Sequence, residues 1–203
     1  MALAGRILQA NLNHSVKAQD LLLQTMDEHG LGLAVVAEPY RTPLSNRVSD
    51  ITDTVAVIRV GYADSPAIIT VRRGQGFVVT AWGGMLIVGV YESPNVHTES
   101  LRRLLDEIRS NIAPLMAQNV LVLGDFNAKS VLWGSPRTNA RGEAVAEWAA
   151  ELDMRLINEG SRSTCVRWQG ESIVDLTWAS PSAARKVRSW EVTVDLETLS
   201  DTI

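Results

Sequence analysis

The residues of this chain that could do chemistry sit at or near the ends of apolar runs. "LQANLN" carries Asn11, "GLAVVAEPY" leads to Glu38, "MLIVGVYESPN" to Tyr91, "VLVLGDFNA" to Asp125 and Asn127, "SIVDLTW" holds Asp175, and the final "WEVTVDLETLSD" leads to Asp201. An ionised carboxylate beside such a run needs a cation, hydrogen-bond donors or open solvent, because burying it alone costs several kcal/mol. One shared divalent cation would meet that need for several of them. The donors are hard carboxylate and amide oxygens, and no Cys or His cluster has zinc spacing, so the chemistry points to Mg²⁺ or Mn²⁺. Each residue also has a plainer role. Asp125 and Asn127 suit a turn, Glu38 before Pro39 a solvated strand end, and Tyr91 a half-buried strand aromatic. Asp175, between apolar neighbours, has the weakest structural excuse.

Strands have to position these groups. Apolar, β-branched segments bounded by turn residues predict strands over Arg6 to Leu12, Gly32 to Ala37, Thr54 to Val60, Ala67 to Val71, Gly76 to Trp82, Met85 to Tyr91, Val120 to Gly124 and Ile173 to Trp178. A further strand is expected before Leu199. Helical patterns run from Val16 to His29 after a Ser15 cap, from Glu99 to Met116 after a Thr98 cap, and from Glu143 to Met154. The four strands between Thr54 and Tyr91 have short connections and no helix, which predicts antiparallel neighbours and disfavours a purely parallel sheet. Helix-linked strands around a central meander suit an α+β layered sandwich. The loops Arg41 to Asp53 and Ala128 to Gly142 are the longest irregular pieces and the natural places for binding groups.

Composition limits the alternatives. The 203 residues fit one domain, able to bury roughly 70% of the surface its unfolded chain exposes. No apolar stretch approaches the ~20 residues of a membrane span, and "MALAGRILQANLN" lacks the basic start and long apolar core of a secretion signal. An intracellular protein, in nucleus or cytoplasm, is expected. Cys165, the single cysteine, excludes an internal disulfide and a cysteine-based zinc site and reads as a small strand residue. The formal charge of -4 argues against holding nucleic acid by bulk electrostatics, though an enzyme that meets phosphate through a metal remains open.

In order and separation, "QANLN", "AEPY", "VYESPN", "LGDFNA", "SIVDLTW" and "LSD" resemble the successive motifs of the endonuclease/exonuclease/phosphatase superfamily, across nearly the whole chain. "FNAKSVLWGS" and "NARGE" resemble the apurinic-type endonuclease domain of site-specific insect non-LTR retrotransposons, the kind that target ribosomal DNA or telomeric repeats. The resemblance implies a DNase I-like, four-layered α/β sandwich with two mixed sheets flanked by helices. It also implies a Mg²⁺-dependent nick in DNA that leaves a 3′ hydroxyl to prime reverse transcription, within a longer polyprotein that includes a reverse transcriptase.

Carried over by motif, Glu38 resembles the principal metal ligand, helped by Asn11 and Asp201. Asp125 and Asn127 would position and deprotonate the attacking water, and Tyr91 would hydrogen-bond the scissile phosphate. Asp175 would orient a histidine that follows the Ser-Asp pair. Here that residue is Thr202, and no motif puts His14, His29 or His97 in its place, so the implied catalytic set is incomplete. The pattern also expects a last strand, which suggests a C-terminally incomplete domain. Arg137, Asn139 and Arg141 are candidate DNA contacts. Two alternatives stand beside the endonuclease: a non-catalytic remnant that keeps a DNA-binding surface, and another phosphoesterase of the same fold, a reading that Trp133-Gly134 disfavours.

Overall fold

The computed structural model describes residues 5–40, 45–61, 65–159, 163–167 and 170–193. In chain order these form β1 (Ile7–Asn11), α1 (Val16–Glu28), β2 (Leu33–Ala37), β3 (Arg47–Ser49), β4 (Val55–Arg59), β5 (Ile69–Arg73), β6 (Phe77–Trp82) and β7 (Met85–Tyr91). There follow α2 (Thr98–Ile112), β8 (Val120–Asp125), α3 (Ala140–Glu151), β9 (Arg155–Leu156), β10 (Cys165–Arg167), β11 (Gly170–Ser172), β12 (Asp175–Ala179) and α4 (Pro181–Ala184).

Two mixed sheets carry the fold. One has the order β1-β2-β4-β3, the other β5-β6-β7-β8-β12-β9, and β10 and β11 form a separate hairpin. Side chains alternate between strand faces, so each sheet divides its residues between two layers. Leu33, Val35, Ala37, Val55 and Val57 of the first sheet meet Val78, Ile87, Tyr91, Leu121 and Leu123 of the second. The opposite parity, Ala34, Val36, Ala56 and Ile58, packs on Ala18, Leu22 and Met26 of α1. On the far side Val88, Val90, Val120, Val122 and Leu176 pack on α2 and α3. The layers therefore run helix, sheet, sheet, helix. Gly89 keeps the sheets close, since a Cβ there would lie 3.1 Å from both Val35 and Val55. In α2 the buried residues Leu101, Leu104, Leu105, Ile108 and Ile112 follow helical spacing, which explains why its amphipathic pattern was legible.

The sandwich agrees with the expectation from sequence; several details differ. The strands between Thr54 and Tyr91 are not all neighbours: β4 pairs with β2 and β3, whereas β5, β6 and β7 pair with one another in the other sheet. A short connection says that two strands are close in sequence, but β4 buries both faces between α1 and the second sheet and so belongs elsewhere. The cap position of α2 is His97, with no side-chain cap bond, and Thr98 is already helical. Asn139 caps α3 three residues earlier than the Glu143 start suggested, because its side chain accepts from Gly142 N. The Arg41 to Asp53 loop includes β3. Trp190 to Thr193 carry no regular structure, and Asp201 and Thr202 lie outside the described residues.

Candidate active site

Strand register assembles the polar groups. Tyr91 at the end of β7 is opposite Asp125 at the end of β8, and Asp125 is opposite Asp175 at the start of β12. Directly opposed residues share a face, so this row looks across the gap between the sheets. On the other wall Asn11 is opposite Ala37, which places Asn11 and Gln9 on the facing side of β1.

The two walls touch through hydrogen bonds. Asn11 Nδ2 donates to Asp125 Oδ2 at 3.1 Å, Gln9 Nε2 to Asp175 Oδ1 at 3.4 Å, and Tyr91 Oη to Glu38 Oε1 at 2.5 Å. Asp125 Oδ1 accepts Asn127 N at 2.9 Å, and Asn127 Nδ2 donates to Glu92 O at 3.2 Å. Among the described residues no hydrogen bond engages the Asn127 side-chain oxygen. Asn11, Asp125 and Asn127 form one hydrogen-bonded group and Glu38 and Tyr91 a second, and the strand register sets the two side by side, with Asp175 next in the row.

The backbone is held in costly shapes here. Glu38 has φ 47° although it precedes proline, and Asn13, His14 and Asn127 also have positive φ. Neighbouring ends of the first sheet enforce these turns: Glu38 N donates to Thr54 O and His14 N to Glu38 O, both at 2.8 Å. Such conformations persist where surrounding structure enforces them, and they cluster at functional sites.

The electrostatics are those of acids enclosed close to one another. Burial, then the charge of Asp125, push the Asp175 carboxyl up from 3.8 to about 7, against hydrogen bonds from Thr164 and Gln9. Burial, the hydrogen bond to Glu38 and the charges of Glu38 and Asp125 push the Tyr91 hydroxyl far above its ordinary range. Excess negative charge between low-dielectric walls is the environment that a dication neutralises. Among the described residues no group of three His, Cys, Asp or Glu side chains is arranged as a metal cage. The set named from sequence is of another make: the Glu38 carboxylate, the Asn11 amide oxygen, which also accepts Asn13 N at 2.8 Å, and Asp201 outside the described residues. Its hard oxygen donors fit Mg²⁺ or Mn²⁺.

Arg141 requires a correction. It is 7% exposed, and its guanidinium donates to the carbonyls of Asn127, Val96, Glu92 and Phe126 at 2.9 to 3.3 Å, so it is not a surface DNA contact. It ties the loop after Tyr91 to the loop after Asp125. Asn139 is exposed but spends its side-chain oxygen on Gly142 N and Lys129 N, whereas Arg137 is exposed. Sequence reasoning passed over Gln9 and Thr177, although both sit two residues from a chosen site residue on the same strand face, and that spacing was the available signal. Thr177 Oγ1 donates to Gln9 Oε1 at 3.4 Å and accepts Trp190 Nε1 at 3.2 Å. Asn158 braces Asp175 and Thr177 through their backbones, at 2.9 and 2.7 Å, and carried no signal.

Residues 85–201, more than half of the chain, match the family model described as endonuclease-reverse transcriptase. The endonuclease domain of TRAS1, a telomere-specific non-LTR retrotransposon, superposes with TM-score 0.79 at 24% identity over 95% of this chain and 92% of that one. An AP endonuclease from Archaeoglobus fulgidus superposes with TM-score 0.67 at 12% identity over 89% of this chain and 88% of that one. At these identities the likeness is one of fold. No curated protein matches by sequence. The four-layered, DNase I-like sandwich and the family match together place the chain in the endonuclease-reverse transcriptase family of nucleases, within the endonuclease/exonuclease/phosphatase superfamily.

Proposed function

We propose that this chain is a Mg²⁺- or Mn²⁺-dependent DNA endonuclease that nicks one phosphodiester at a retrotransposition target site, as part of a polyprotein with a reverse transcriptase. The observation that carries the reading is Asp125. It is 3% exposed, lies at the centre of the Tyr91–Asp125–Asp175 row, and is held by Asn11 and by the Asn127 amide. A carboxylate so fixed can take a proton from an attacking water, and the free oxygen of Asn127 can align that water with the leaving oxygen. Tyr91, kept protonated, would donate to a phosphate oxygen by exchanging its bond to Glu38 for one to the substrate. Glu38 and Asn11, with Asp201, would hold the metal, which when bound supplies charge neutralisation at the phosphoryl and 3′ oxygens. Arg137 and the Arg41 to Asp53 loop are the outer DNA contacts in this reading.

One observation supports a second reading, a DNA-binding remnant. Thr202 occupies the position where the resemblance expects histidine, and no described histidine hydrogen-bonds Asp175. Nicking of supercoiled plasmid in Mg²⁺ decides between them. Nicking by the parent chain, lost in Asp125→Ala, supports the enzyme. Duplex binding without nicking, restored to nicking by Thr202→His, supports the remnant. Failure of both chains to cut or bind DNA, with hydrolysis of an inositol phosphate instead, would sink the nuclease reading.

A further inference from the structure

We infer that the loop Lys129 to Asn139 is a preformed wedge for duplex DNA: Val131 and Leu132 enter the groove beside the cleaved phosphate, and Lys129 and Arg137 hold the flanking phosphates. The inference rests on the nuclease reading and extends it to how the substrate is gripped.

Val131 and Leu132 are adjacent, 61% and 65% exposed, and among the most exposed large apolar side chains described. Isolated exposed apolar residues are commonplace, but this pair is displayed on a scaffold built to hold it. At the neck, Asn139 N donates to Lys129 O at 3.0 Å, and Lys129 N donates to Asn139 Oδ1 at 3.2 Å. Above it, Val131 N donates to Thr138 Oγ1 and Leu132 N to Ser130 Oγ, each at 3.2 Å. Below the pair, Trp133 is buried, donates Nε1 to Ala128 O at 3.2 Å, and meets Trp178 edge to face at 6.1 Å. Gly142 closes the packing, since a Cβ there would lie 1.9 Å from Lys129 O. A compact loop with joined ends and its own internal bonds loses little freedom when it binds.

Position and charge select DNA as the occupant. The loop begins two residues after Asn127, so the pair lies within about 25 Å of Asp125 by chain reach alone. Between Ala128 and Gly142 the sequence has Lys129, Arg137 and Arg141 and no acidic residue, in a chain of net charge -4. With Arg141 buried, the outward charge is that of Lys129 and Arg137, neither of which forms an ion pair among the described residues. Apolar side chains that part base steps while cations hold the backbone are a recurrent way to deform a duplex.

The test uses the full chain and a short duplex carrying 2-aminopurine, in EDTA so that binding is read without cleavage, with plasmid nicking in Mg²⁺ run in parallel. The double variant Val131→Ser/Leu132→Ser should lose at least about tenfold in duplex affinity and lose the fluorescence rise of base unstacking, with thermal stability unchanged. Lys129→Ala/Arg137→Ala should reduce the slope of log affinity against log salt by about two. Unchanged affinity and fluorescence in the double variant, or no duplex binding by the parent chain, would overturn the wedge. So would unchanged DNA binding together with dissociation of a dimer in sedimentation, which would make the pair a protein contact. Normal nicking by the double variant sinks the wedge and leaves the nuclease; weakened binding in a chain that never nicks leaves the wedge and sinks the nuclease.

Discussion

Asp50 and Asp175 are both carboxylates enclosed by this fold, and their surroundings push them in opposite directions. Asp50 is 0% exposed, yet it accepts from the backbone amides of Thr52, Thr54, Val55 and Gly76 and from the hydroxyls of Thr52 and Thr54. Those donors outweigh burial and hold its carboxyl below the usual value. Asp175 has Gln9 and Thr164 for donors and Asp125 for a neighbour, and its carboxyl is pushed up. A buried acid wrapped in amides is a structural fastener, here between the β3–β4 turn and the β5–β6 turn. A buried acid facing another acid is short of positive charge, and it either takes up a proton or is balanced by charge supplied from elsewhere.

The contrast fails first if the acid row is dispensable. Asp125→Asn should cut plasmid nicking at least about a thousandfold with little change in the unfolding midpoint, and residual activity within tenfold of parent would break it. Asp50→Ala should do the reverse: about 3 kcal/mol or more lost in urea unfolding, with nicking per folded molecule retained. Mg²⁺ at a hundredfold excess over its dissociation constant should add about 2.7 kcal/mol of stability, and Glu38→Gln should remove that gain. Without metal, Asp175 is protonated when folded and ionised when unfolded between pH 3.8 and about 7, so its stabilisation should be complete below that window and decline through it. Asp175→Asn should flatten the decline in urea midpoints measured from pH 4.5 to 7.5. The smallest effect belongs to Gln9→Ala, about 1 kcal/mol or less, with the Asp175 carboxyl raised further as its donor is lost. An unchanged pH profile in Gln9→Ala would show that the Gln9 bond has no bearing on the row.

The layered sandwich was legible because strand runs and helix periodicity are local patterns that report which faces are buried. Asn11, Glu38, Tyr91, Asp125, Asn127 and Asp175 could be picked out as candidates for the same reason: each lies in, or within two residues of, an apolar run where a polar group is conspicuous. Arg141 was misread because a lone arginine in a loop looks alike whether it faces solvent or four carbonyls. The assignment of β4 to the opposite sheet from β5 was equally hidden, since strand pairing depends on both faces being covered by distant elements.

The sequence by itself determined where the long strands and the three long helices run, though not β3, β9, β10, β11 or α4, that hard oxygen donors rather than sulfur or imidazole gather near strand ends, and which family the motifs resemble. Tertiary structure alone decided that Asp125 is in register with both Tyr91 and Asp175, that Asn11 reaches it across the gap between sheets, and that Asp50 is a fastener while Asp175 is short of charge. The physical reason is range. Periodicity is set by neighbours a few residues apart, whereas the contacts that join one element to another at these carboxylates, Gly76 to Asp50, Asn11 to Asp125 and Gln9 to Asp175, span 26 to 166 positions.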